Sequence, residues 1–403
     1  MGRTVFSVLL VMLAADWPQW RGPDRDGVAP GLAPRASWPR TLAQAWKTPV
    51  GVGHSSPIVV GSSIFLHTRE GEDEFVSRFD LATGRRVWRQ TYRAPYTMNP
   101  AAWGHGKGPK STPVAQKGRL FTLGISGILS CFETETGRLL WRKDFRGQFR
   151  ETSPLYGAAM SPVVDGDLLI AHVGGHDDGA LTAFDTATGD VKWAWKGDGP
   201  GYASPVVADL GGRRQVVTQT QGYVVGVGLE SGELLWKIPL QTDYEQNAVT
   251  PVIHGPDVIY SGLGKGVHAV RIAKRGNAWA AEKQWENLDL SMYMSSPVLD
   301  GDRLYGFSHR QKGQAFCLDA RTGRTLWAGP GRQGDNAALI RSGSGLFLLT
   351  TDAQLIVARA DAAAYAPLAT YALAPSPTWA HPVILAGGFL VKDADTLALW
   401  RVE

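Results

Sequence analysis

A nine-residue pattern recurs along this chain and limits its possible folds more than any other feature: an acidic residue, two variable positions, Thr-Gly, three more positions, then Trp. It stands at Asp80 to Trp88, Glu133 to Trp141, Asp185 to Trp193 and Asp319 to Trp327. Gly228 to Trp236 keeps the spacing with Gly in the acidic place and Ser in the Thr place. A second signal opens each unit: Ser56-Pro57, Thr112-Pro113, Ser161-Pro162, Ser204-Pro205, Thr250-Pro251, Ser296-Pro297 and the variant His381-Pro382 each precede a Val/Ile-rich run. Such self-similarity marks stacked supersecondary units, none of which buries its hydrophobic face alone.

Each unit reads as a four-stranded antiparallel meander. Proline lacks an amide donor and belongs at a strand start, so Ser/Thr-Pro opens strand A. The acidic-x-x-Thr-Gly stretch is the hairpin joining strands C and D. Its side chains cap the turn, and Gly84, Gly137, Gly189, Gly232 and Gly323 take the positive φ that the turn needs. Alternation along strand D then places the Trp on one face in every unit, where its indole packs against the neighbouring sheet. The ladder runs Trp46, Trp88, Trp141, Trp193, Trp236, Trp285, Trp327 and Tyr371, at spacings of 42 to 53 residues. That is eight units. Trp46 precedes any strand A of its own, whereas His381 to Val402 offers three strands, so residues 43 to 50 are predicted to complete the last blade. The expected fold is all-β: an eight-bladed propeller whose ring closure removes exposed sheet edges. Unit five departs from the pattern at Arg271 to Gly276, and unit seven lacks both Ser-Pro and Trp.

With these residues laid out, the chain from about 43 to 403 resembles the pyrroloquinoline-quinone (PQQ) repeat superfamily of β-propellers. The stretch Trp17-Pro-Gln-Trp-Arg21-Gly-Pro-Asp-Arg25-Asp-Gly27 looks like the lead-in of secreted bacterial PQQ-like repeat proteins. Two branches bear on function. Quinoprotein alcohol dehydrogenases hold PQQ against a disulfide of adjacent cysteines, with calcium ligated by Glu and Asn beside a catalytic Asp. This chain has two cysteines, Cys131 and Cys317, in opposite units, and no position onto which that Glu, Asn and Asp set carries over. No cofactor is therefore expected, PQQ and Ca²⁺ included. The other branch, the BamB-type factor, is a scaffold in outer-membrane β-barrel assembly. It is anchored through an N-terminal cysteine, which has no counterpart here.

Residues 1 to 15 read as a signal peptide, with Arg3 ahead of the apolar run Val5 to Leu13 and Ala14-Ala15 before Asp16. The expected organisation is a leader over 1–15, a lead-in over 16–42 and the propeller over 43–403. The expected product is periplasmic or secreted, monomeric and free of a lipid anchor. A net charge of +4 over 403 residues, with no basic run, excludes an electrostatic nucleic-acid binder. Beyond the leader, no apolar stretch reaches the ~18 residues of a membrane helix.

Propeller geometry sends the links from strand D to the next strand A onto one face, around the central channel, where ligands of such folds gather. The candidate binding residues there are His54, Trp103, His105, Lys107, Lys110, Tyr156, Tyr202, Asn247, Tyr293, Asn336 and His381, with Met294 and Trp379 in the same links. Two links, before Thr112 and before Ser161, are long enough to be binding elements. This mixture of imidazole, ammonium, indole and phenol suits a sugar, a peptide or an anion. The expected function is a non-enzymatic binding or protein-interaction scaffold acting through the D-to-A face and the channel. The alternatives are a PQQ/Ca²⁺-dependent dehydrogenase and a carbohydrate-active propeller enzyme, the latter requiring a close acid/base pair in the channel.

Overall fold

A computed structural model of the chain describes residues 16–32, 35, 37–148, 154–360 and 363–402. The leader expected over 1–15, and Glu151 in the second long link, lie outside the described residues. Eight four-stranded antiparallel sheets form an eight-bladed propeller. Blades one to seven run in strict chain order. Blade eight is composite: Val383–Leu385, Gly388–Lys392 and Thr396–Arg401 are its strands A to C, and Ala43–Pro49 supplies strand D. Trp46 pairs with Leu399, so the ring closes between the two ends of the chain as the Trp ladder predicts.

The recurring motif works as a latch between blades. Asp80 Oδ1 accepts from Thr83 N at 2.9 Å and from Thr83 Oγ1 at 2.6 Å, capping the hairpin. Gly137 (φ +73°) leaves room for Trp88 of the preceding blade, whose ring lies 2.7 Å from where a Cβ would stand. The Trp88 indole donates to Thr134 O at 3.0 Å. Trp46, Trp141, Trp193 and Trp285 lie on Gly84, Gly189, Gly232 and Gly323 in the same way and donate to Leu81, Thr186, Leu229 and Ala320 carbonyls. Glycine is needed because any side chain would collide with the indole.

Where the motif fails, the latch changes. Blade five has a long hairpin, Gly266–Arg275 with Ala278–Asn287, in place of the short turn. Trp236, which faces it, donates to Gln215 Oε1 at 2.7 Å instead. In blade seven Tyr371 is buried at the Trp position and donates to Pro39 O at 2.6 Å.

The Ser/Thr-Pro signal has a second role beyond opening strand A. Each Ser/Thr hydroxyl accepts the backbone N–H of its counterpart in the preceding blade: His381 N to Ser56 Oγ, Ser56 N to Thr112 Oγ1, Thr112 N to Ser161 Oγ, Ser161 N to Ser204 Oγ, Ser204 N to Thr250 Oγ1 and Thr250 N to Ser296 Oγ, all at 2.8–3.2 Å. This belt circles the axis and is interrupted at blade seven, where Ala338 takes the Ser place.

The lead-in changes the expected site. The central channel was expected to be open to a ligand, but residues 16 to 32 run through it. Trp17 bridges to Val59 of blade one, Pro18 O accepts from Ala115 N of blade two, and Gly27 and Ala29 pair with Arg341 of blade seven. Arg21 Nη1 donates to Ser296 O at 2.9 Å and its Nη2 to Pro297 O, both in blade six. Arg25 donates to Ser161 O and Pro162 O of blade three at 2.8 and 2.9 Å. Both guanidiniums are buried, and so many backbone carbonyls must be satisfied by donors that water cannot supply there.

Candidate functional site

Just above the belt, on the D-to-A face, lies a cup built by register. One position, two residues before the Ser/Thr, recurs in every blade: His54, Lys110, Ala159, Tyr202, Ala248, Met294, Asn336 and Trp379. For blade seven the assignment follows from pairing, since Ser342 faces Gly345 as Asp300 faces Arg303 in blade six. Seven of these eight line the cup, which encloses about 130 Å³, and the two long links add one ring each, His105 and Tyr156. Asn336 turns sideways, and its Oδ1 accepts from Met294 N at 3.3 Å. Below the cup, the belt and the lead-in close the axis.

The rings touch in sequence. His54 stacks on Trp379 with centroids 5.4 Å apart and planes 18° off parallel. His105 meets Trp379 at 5.1 Å and Tyr156 at 4.8 Å edge-on, and Tyr156 meets Tyr202 at 5.2 Å. Gln246 holds Tyr156 through a 3.1 Å bond from Nε2 to the phenol oxygen, and also accepts from the Tyr293 hydroxyl.

The cup's charge is cationic. Lys110 Nζ donates to Gly106 O at 3.0 Å, and among the described residues no Asp or Glu lines the cavity. Burial pulls the Lys110 ammonium from its ordinary 10.5 down to about 7, with Glu74 opposing that shift and Arg69 adding to it. Burial first, then Lys110, Lys392 and His105, hold the His54 imidazole well below its usual range. His105 is lowered in the same sense by burial and then by Lys110. At neutral pH the cup therefore offers two neutral imidazoles beside an ammonium poised to gain or lose its proton.

Of the residues expected to bind, His54, His105, Lys110, Tyr156 and Tyr202 are thus brought together. The others are placed elsewhere. Asn247 is an internal brace, its amide donating to the Thr220, Gln221 and Leu240 carbonyls at 2.7–3.0 Å. Trp103 lies on the outer surface at 70% exposure, and Lys107 pairs with Glu72 at 3.4 Å. His381 sits one pleat below Trp379, at the level of the belt, where Trp20 of the lead-in covers it at 5.2 Å and burial lowers it to about 3. A cluster of His54, His105 and His381 is therefore not formed. Ala159 and Ala248 were not among the expected binding residues, and Met294 and Trp379 were expected only as their neighbours in the same links, although the position two before the Ser/Thr-Pro or His-Pro pair marks all four.

Elsewhere, His172 and His176 diverge. The first bonds Asp198 O at 3.1 Å, and the second meets Glu245 Oε2 at 2.7 Å beside Tyr202. Cys131 and Cys317 are buried free thiols, pushed up to about 12 by burial. Among the described residues no group of three or more His, Cys, Asp or Glu side chains is arranged to hold a metal ion.

Similarity to known proteins follows the architecture. The family profile described as outer membrane protein assembly factor BamB matches residues 72–329. The factor of that name from Shewanella oneidensis is 24% identical over 54% of this chain and 55% of its own length, and that from Yersinia pestis is 23% identical over 76% and 75%. Methanol dehydrogenase subunit 1 of Paracoccus denitrificans is 26% identical over 63% of this chain and 41% of its own. The chain spans only 47–59% of the length of the first three curated relatives. Among solved structures, BamB from Moraxella catarrhalis superimposes with a TM-score of 0.65 at 14% identity, covering 90% of this chain and all of that one. Quinohemoprotein alcohol dehydrogenase from Comamonas testosteroni gives 0.66 at 14% identity, covering 96% and 80%. These likenesses establish the fold. Since the matched stretch is well over half of the 403 residues and carries the latch motif in each blade it spans except the fifth, this chain belongs to the PQQ-like propeller family described as outer membrane protein assembly factor BamB.

Proposed function

We propose that the protein is an exported, non-enzymatic interaction propeller that presents its D-to-A face to a protein partner in outer-membrane protein assembly. The observation that carries this reading is where large apolar side chains meet water. Among the described residues they are Val52, Trp103, Tyr244 and Leu288, all in D-to-A links, and Val87, Leu139, Val191 and Leu368, all on the outermost strand D. The turns of the opposite face carry none of them. Aromatic side chains left exposed on one face of a rigid ring are the composition of a recognition surface. The named activity of the matched relatives supports the same reading. The expectation of a chain without a lipid anchor has no support from them and is not part of this proposal.

The dehydrogenase alternative is less favoured. The residues present do not fit a quinone and calcium pair: the cysteines are buried in blades two and six, and among the described residues no carboxylate lines the cup. A carbohydrate-active enzyme lacks its acid/base pair among the cup residues for the same reason.

In-cell photocrosslinking tests the reading. A photoreactive residue at Trp103 or Tyr244 is expected to give discrete adducts with outer-membrane assembly proteins, and one at Lys117, on the opposite face, none. Equal adducts from both faces would refute it. Alcohol-dependent dye reduction by protein supplied with PQQ and Ca²⁺ would move the choice to a dehydrogenase.

A further inference from the structure

The cup has a chemical preference that goes beyond a general recognition face. Lys110 brings three donor protons to it, and the Gly106 carbonyl takes one. Two acids of blade one on this side are already committed. Glu72 pairs with Arg69 at 3.1 Å and Lys107 at 3.4 Å. Glu74 is fully buried and accepts from the Tyr92 hydroxyl at 2.8 Å and Ile125 N at 2.9 Å, with His67 at 3.3 Å. Among the described residues no carboxylate lines the cavity beside the ammonium. A half-buried cation that has one backbone acceptor and faces no lining carboxylate has donors to offer an anionic ligand.

Shape narrows the ligand further. The walls are flat rings, with Trp379 and His54 stacked and Tyr156 and Tyr202 edge to face. The volume of about 130 Å³ is close to that of a cavity filled by a single benzene ring. The belt and the lead-in form a floor, so that a ligand enters from the D-to-A side and stops. Aromatic faces pack the body of such a ligand while Lys110 and an imidazole N–H hold its charged end.

We infer that this cup binds a carboxylate carried on a body about the size of one ring, with Lys110 as its counter-ion and Trp379, Tyr156 and Tyr202 as its walls. The inference rests on the reading of the D-to-A face as the recognition face and adds the chemistry recognised there. Two sources present this group: a free small acid, or the C-terminal residue of a polypeptide partner.

Binding follows the protonation of Lys110. The charged groups facing it are Glu74 and Arg69 from blade one and His54 and His105 from the links, with Lys392 behind Gly53. Because both imidazoles are held neutral by burial, the ammonium is the charge that responds near neutral pH. A bound carboxylate raises its pKa, so binding takes up a proton above about pH 7 and weakens as pH rises further.

The test is calorimetric titration of the full chain with benzoate and with benzyl alcohol, the same ring without charge. Benzoate is expected to bind about tenfold or more tighter than the alcohol at about pH 6, and to lose that advantage by about pH 9. Lys110→Met is expected to remove the preference, and Lys110→Arg to keep it at both pH values, with a cooperative melting transition showing that each variant folds. Equal binding of the two probes, or binding of neither, would overturn the inference. Photocrosslinks from Trp103 persisting in that case would leave the broader reading intact. A peptide ending in phenylalanine, compared with its C-terminal amide, separates the sources: tighter binding of the free acid than of benzoate identifies a chain end, and binding of benzoate alone identifies a small acid. Either result upholds the carboxylate site.

Discussion

Cations stand at two levels of the propeller axis, and the chain treats them in opposite ways. At the level of the belt, Arg21 and Arg25 spread their planar donors over the carbonyls of Ser296, Pro297, Ser161 and Pro162, so that each guanidinium ties the lead-in to a blade. Burial lowers them to about 10 and about 9, which still leaves both charged at neutral pH. At the open end, Lys110 is a compact ammonium with one backbone acceptor, lowered to about 7. A buried guanidinium bonded to several backbone carbonyls is part of the architecture, whereas an ammonium with one acceptor beside a cavity points to a ligand.

Four experiments bear on that contrast. Arg21→Ala strips the donor from four backbone carbonyls, those of Ser296, Pro297, Asp26 and Arg25, and is expected to cost about 3 kcal/mol or more in urea denaturation. A loss under about 1 kcal/mol would mean that the lead-in merely rests against the ring. Ser204→Ala, in the belt itself, leaves Ser161 N without its 2.9 Å acceptor and is expected to cost about 1–2 kcal/mol.

Lys110→Met works in the other direction. The folded chain sheds this proton near pH 7 and the unfolded chain near 10.5, so wild-type stability gains from this group as pH rises between those values. The Met variant lacks that gain, and denaturation should show its advantage over wild type to be greater at about pH 6 than at about pH 9. An advantage that does not change with pH would show that Lys110 is not the titrating group. Trp103→Ala removes only exposed surface and is expected to shift stability by no more than about 0.5 kcal/mol while reducing partner crosslinking.

Much of the ring was legible in the residues. The latch depends on local spacing, since turn, glycine and Trp lie within nine residues, and repetition multiplies that weak signal into a secure one. Even blade eight followed, because Trp46 had no strand A of its own. The cup was only half legible. His54, Lys110 and Tyr202 drew attention by their chemistry, but Ala159, Ala248 and Met294 carry no chemical signal, and their common distance from Ser/Thr was the cue that joined them. Asn247 and His381 were indistinguishable by type from true lining residues. Their side chains are used inside the fold, by three carbonyls in one case and by Trp20 in the other.

Sequence alone determined the number of blades, the order of the strands and the place where the ring closes, because all three follow from a periodic pattern read against the fixed geometry of strands and turns. Tertiary structure decided what occupies the axis. The lead-in carries no period and forms no sheet of its own. Its position depends on carbonyls from Ser161 and Ser296, more than a hundred residues away, which ring closure brings within reach of Arg25 and Arg21. The floor of the cup beneath Lys110 exists only after those distant groups have met.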